Sequence, residues 1–303
     1  MRKKWMAAGI VTCVGAAMLL STAFAAPDGG SGYELYKETL KNMKNVGSVT
    51  GNVTMSVSDN GEKLLQVDTL FKADHQKQAA SSEVRFEAGG QEHAVNVFRQ
   101  DGRTVLQPAD SDTLRVIERD PPRWAKEEHS PAFDKGIEKV IDALAAPLKD
   151  QIDTADTPDG GKLLTLHLSS EEIPAVVNAI APFVVRRATD PELHAAHGPA
   201  HRWEGPAPQL DVPLPALKED IRIEDVRLEA AIGVSGRIER QSAAIVLTGL
   251  DADGTGHELQ LQMNLDLSGF GQTVPDSIDL AGRKLETIRM DGSFHRGPWG
   301  SSN

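Results

Sequence analysis

Three histidines, His194, His197 and His201, lie in the run His-Ala-Ala-His-Gly-Pro-Ala-His. Spacings of three and four would bring imidazoles together on one helix face, the geometry that zinc sites use. Gly198-Pro199 breaks such a helix between the second and third histidine, and no His-Glu-x-x-His frame accompanies them. A solvated loop is the expectation, with these three as the metal-ligand candidates. Asp251 and Asp253, followed by Gly254, resemble the start of a calcium loop, but its twelfth position is Gln262 where a glutamate is needed. A hairpin turn explains the same residues without a cation. Glu127-Glu128 and Glu171-Glu172 are adjacent acids, the second pair suited to a helix start. The sequence holds no Gly-x-Ser-x-Gly or Ser-x-x-Lys frame for a serine nucleophile and no phosphate-binding glycine loop. The expectation is a protein that is not an enzyme and needs no cofactor.

What remains is an apolar set. Ile137, Ile141 and Leu144 share one face of a segment with helical spacing, as do Val177, Ile180 and Phe183 of another. Leu261 and Met263 point the same way from a strand with strict alternation. These eight residues are candidates for the lining of an apolar ligand cavity. A filled core uses the same residue types, so both readings stand at this level. Aromatics make up only 5% of the chain, which suits acyl-chain contact better than sugar or base stacking.

The elements that would position this set follow from periodicity. Tyr36, Leu40 and Met43 predict a helix over 33–45. The period then switches to two. Val49 to Val57, the turn Asp59-Asn60-Gly61 and Leu65 to Phe71 predict a hairpin. Val84 to Phe86, Ala94 to Phe98 and Thr104 to Leu106, separated by Gly89-Gly90 and Asp101-Gly102, extend it as a meander, apolar on one face and covered on that side only. A helix is predicted over 132–146, ended by Pro147, and a short strand through Leu164, Leu166 and Leu168. Ser169 and Glu172 form a capping box for a second, deeply buried helix that carries Val176 to Val185. Residues 186–219 lack a period, are rich in proline and predict a long insertion or loop. Strands return at Ile221 to Leu228, over a long stretch from Ala231 to Leu250, and at Leu259 to Leu267. The loop after Pro108 is a candidate lid.

The first 25 residues read as a secretory signal: Arg2, Lys3 and Lys4, an apolar run to Leu20, then Ala23-Phe24-Ala25 with small residues where signal peptidase requires them. Cleavage near Ala25 would discard Cys13, the only cysteine, and take the net charge from −12 to −15. The expectation is an extracytoplasmic chain with no disulfide, no lipid-anchoring cysteine and no membrane span. Its acidity argues against nucleic acid. Residues 26–32 are a flexible spacer, 33–290 a single domain and 291–303 a disordered tail.

The run Gly249-Leu250-Asp251-Ala252-Asp253-Gly254-Thr255-Gly256-His257-Glu258-Leu259, the strand after it, and Ser268-Gly269-Phe270-Gly271-Gln272-Thr273-Val274-Pro275 resemble the C-terminal part of the LolA/LolB and LppX/LprG superfamily. Tyr33 to Phe71 resembles the N-terminal part of its secreted Gram-positive members. The resemblance implies an α+β fold: a curved antiparallel sheet, an unclosed half β-barrel, covered on its concave face by helices. It also implies a lipid or other apolar small molecule as ligand, or alternatively a protein of the envelope as partner of a sensor or regulatory module.

Overall fold

The computed structural model describes residues 31–119, 151–189 and 214–290. Helix α1 (Ser31–Lys44) opens it, beginning inside the expected spacer. Six strands follow: β1 (Ser48–Asp59), β2 (Glu62–Asp74), β3 (Ala79–Ala88), β4 (Gln91–Gln100), β5 (Arg103–Pro108) and β6 (Thr113–Arg119). Asn60 and Gly61 both adopt positive φ, 48° and 83°. That is the two-residue turn whose twist matches the flanking strands. Gly89-Gly90 and Asp101-Gly102 repeat the arrangement. The remaining elements are β7 (Ile152–Asp156), β8 (Lys162–Ser169), α2 (Ala175–Thr189), β9 (Glu219–Ile232), β10 (Ile238–Leu250), β11 (Gly256–Ser268) and β12 (Lys284–Met290).

All strands join one curved, unclosed sheet in the order β12-β6-β5-β4-β3-β2-β1-β11-β10-β9-β8-β7. Every pairing is antiparallel except β12 with β6, which is parallel. The junction of the two halves is β1 against β11, with Val57 opposite Leu261, Met55 opposite Met263 and Val53 opposite Leu265. Alternation puts these residues on one face, here called inner. The same row continues outward through Val67, Phe86 and His93 on one side, and through Ala243, Leu228 and Leu166 on the other. Gly51 lies in this row because a Cβ there would overlap the Phe71 ring and crowd Leu267.

Several expectations are corrected. The stretch from Ala231 to Leu250 is the end of β9, a turn at 233–237, and β10. The loop after Pro108 is a short turn into β6, too brief to act as a lid. The box holds, with Ser169 N and Oγ donating to Glu172 Oε2 at 2.9 and 2.6 Å, but it closes a turn upstream of α2, which starts at Ala175. In α2, Ala181 is buried while Ala175 and Ala179 are exposed, so the helix lies at a surface rather than deep inside. Strands β6, β7 and β12 were not anticipated.

Nor is the sheet bare on its outer face. After β11 the chain crosses that face as a strap. Gly271 N donates to Ser48 O at 2.8 Å, and the hydroxyls of Thr273 and Thr50 meet at 2.8 Å. Asp276 accepts from Lys72 and Ser81, and Ile278 exchanges two hydrogen bonds with Gln100. Ile278 and Leu280 then cover Val105, Leu114 and Val116 before β12 adds to the edge.

Candidate functional site

The inner face divides into a helix-bearing end and a far end. At the first, Tyr33 and Tyr36 of α1 pack on Leu164, Leu166, Leu168, Ala230 and Ile232, joined by Ile173 from the approach to α2. Tyr33 is fully buried. Among the described residues, α1 touches β7 and β10, and α2 touches β9. Twelve strands span about 50 Å at the usual strand spacing, and each helix is about 10 Å across. The main described contacts of both helices are with strands at the β7–β10 end of the sheet. At the far end Met55, Leu65, Val67, Phe86, Val95, Leu106 and Ile117 form a second buried cluster, against which Leu214 packs. Between the ends lies a bridge of Val53, Ala243, Met263 and Leu265.

Of the expected lining residues, Met263 is buried in that bridge, and Leu261, half-buried, touches the far-end cluster and a smaller one around Leu217 and Leu247. Val177 packs at the helix end. Leu261 and Met263 thus share one face of β11 but belong to different clusters, and Val177 lies apart, with Leu228 contacting both the helix-end and bridge clusters. Ile180 and Phe183 fall within α2, but their side chains lie outside the described set, as do Ile137, Ile141, Leu144 and the predicted helix over 132–146. His194, His197 and His201 also lie outside the described residues, as do the signal segment and the tail.

A small recess opens under α1. Tyr36, Leu164, Leu166, Leu228, Ala230 and Gln241 contribute to its wall. It offers about 30 Å³, enough for about two water molecules and far too little for an acyl chain. Gln241 is a polar member of the inner row and is only 7% exposed.

The histidine that matters among the described residues is His257, which sequence reasoning passed over. Its position on β11 aligns it with the inner row, as does that of Asp59 on β1, so both stand at the rim of the apolar face. Nδ1 lies 2.7 Å from Asp59 Oδ2, and Nε2 lies 3.4 Å from Asp251 Oδ2. The Asp251 Oδ1 atom accepts from the amides of Asp253 and Thr255 at 2.9 and 2.8 Å, so the apparent calcium-loop aspartate is occupied by its own turn. Asn60 completes the link: its amide nitrogen donates to Glu258 O and its side chain bonds Gly256 and Glu258. Burial pulls the His257 pKa down, but the hydrogen bonds and charges of Asp59 and Asp251 outweigh it and leave the imidazole above its ordinary value. Amide hydrogen bonds, led by that of Thr255, hold the Asp251 carboxyl below the usual range against the cost of burial. Both imidazole nitrogens face carboxylates, so no nitrogen is left to activate a nucleophile. The cluster is a clasp joining the β1–β2 and β10–β11 turns. No metal-binding group of three His, Cys, Asp or Glu occurs among the described residues, and no described helix is long and apolar enough to cross a membrane.

No protein-family model matches the chain, and no curated protein does. Among solved structures it is similar to an uncharacterized conserved protein from Thermus thermophilus, at 9% identity and TM-score 0.27 over 86% of this chain and all of that one. It is similar to the LolA superfamily protein NE2245 from Nitrosomonas europaea, at 8% identity and TM-score 0.22 over 82% of this chain and 96% of the other. Lipovitellin, in a structure described for its lipid–protein interactions, matches at 10% identity and TM-score 0.28 over 80% of this chain and 27% of its own. Likenesses at this level assign no residue a role.

Proposed function

We propose that the protein is an exported, non-enzymatic carrier that holds a lipid or other apolar ligand against its concave inner face. The observation that carries this reading is the extent of the apolar row. It runs from Ile117 and Leu106 to Leu166 and Ile152, with Gln241 among its members, across a twelve-stranded sheet. Transferring apolar surface from water onto such a face yields about 25 cal/mol per Å² and needs no metal or cofactor. Because the recess under α1 is small, ligand entry requires α1 or α2 to lift from β7–β10. Incubation with phosphatidylcholine vesicles carrying a fluorescent acyl lipid tests this. The carrier retains the label through gel filtration; label that stays wholly with the vesicles counts against it.

The small recess also favours a second reading, in which the interior is filled and the fold serves as an extracytoplasmic sensor or envelope module binding a protein partner. In that case the apolar row is core alone, and no lipid is retained under any loading condition.

A further inference from the structure

One uncharged amide side chain lines the recess under α1. Gln241 is 93% buried, and its amide is not among the fully buried polar atoms left without a partner. Its neighbours in register are Ala230 on β9 and Leu265 on β11, both apolar. It therefore lines the recess with a donor and an acceptor open to an incoming group. Ala230, and Ala243 two residues along β10, are the short side chains around it, while Leu164, Leu166 and Leu228 fill the row beyond. Amide and space coincide.

We propose that the Gln241 recess is a head-group subsite, receiving the uncharged hydrogen-bonding end of an acyl ligand, a hydroxyl or an ester, while the chain lies along the inner face. This rests on the carrier reading and names the class of ligand. The amide offers both a donor and an acceptor, and about 30 Å³ matches a hydroxymethyl or ester carbonyl. Among the described lining residues only Glu229 is charged at neutral pH, so nothing there neutralises a carboxylate or phosphate. An ionised head would lose its hydration without a cation in return.

Calorimetric titration with 1-dodecanol and with dodecanoate at pH 8 tests the subsite, using wild type, Gln241→Leu and Ala230→Leu, with circular dichroism as the check on folding. Wild type should bind the alcohol at least about tenfold more tightly than the carboxylate, the equivalent of about 1.4 kcal/mol. Gln241→Leu should lose about tenfold for the alcohol and little for the carboxylate. Ala230→Leu fills the recess without touching the amide and should weaken the alcohol likewise. Equal binding of the two probes, or wild-type alcohol affinity in both variants, overturns the subsite and leaves the carrier standing. Binding of neither probe by wild type overturns both. If Gln241→Leu does not fold, Ala230→Leu alone decides.

Discussion

The two ends of the sheet solve the same problem differently. At the β7–β10 end the inner face is closed by side chains from another layer, with Tyr33 and Tyr36 of α1 set on Leu164 to Leu168. At the β2–β6 end the described inner cluster is made almost wholly of strand residues, and the added layer is the strap on the outer face, fixed by Thr273, Asp276 and Ile278. A helix held by one apolar stripe can lift without breaking strand pairing. A strap tied to four successive strands and continued into β12 cannot. The contrast places the movable part of the molecule at the helix end and the rigid part at the strap.

Truncating either cluster should show that difference most strongly. Tyr33→Ala is expected to cost about 4 kcal/mol, read as a lower urea midpoint. Hydrogen exchange should quicken across Ser31–Lys44 while amides of β2 to β5 keep their protection. Leu65→Ala, 3% exposed at the far end, should cost about 3 kcal/mol and loosen both ends together. Equal, global loosening by both variants would remove the distinction. Gly51→Ala probes the bridge: the added methyl displaces Phe71 and should cost about 2 kcal/mol, seen as a fall in melting temperature.

The clasp at the rim gives the next effect, and its sign is fixed by the shift on His257. A pKa raised in the folded state means that the imidazole's contribution is complete below its unfolded value of about 6.5. It is lost as pH rises through the higher folded value. The lowered Asp251 contributes in the opposite sense: its share is present above about 3.8 and disappears as pH falls through its folded pKa. Asp59→Asn should therefore cost about 2 kcal/mol near pH 6 and less near pH 9, which denaturation at the two pH values checks. A cost that grows with pH would contradict the clasp. The smallest effect belongs to the strap's ion pair. Asp276→Ala removes the partner of Lys72, whose hydrogen bond holds the Asp276 carboxyl below its usual range. Because that carboxylate is exposed, the loss should be about 0.5 kcal/mol and shrink in high salt.

What was legible in the sequence was whatever short-range chemistry decides. Asn60-Gly61 and the alternation of β1, β2 and β11 identify themselves, since turn backbone and face assignment are local properties. Strand β12 is not, because Lys284–Met290 becomes a strand only by meeting β6 about 170 residues earlier in the chain. The same distance hid the clasp. His257 and Asp59 are 198 positions apart, so the sequence identified the Asp251 turn but not the imidazole that joins it to β1. Gln241 stood in a strand with no sign that its face would be buried, and only the register against Ala230 and Leu265 shows the mismatch. The shared inner face of Leu261 and Met263 on β11 was foreseeable from alternation, but their separation from Val177 was not, since it depends on where α2 lands.

The central claim is tested most directly by extracting the purified protein, expressed as the whole 303-residue chain, into organic solvent and analysing the extract by mass spectrometry. A carrier yields an apolar compound at close to one molecule per chain, bearing an uncharged hydroxyl or ester. A clean extract from protein that also takes up no lipid from vesicles would contradict it.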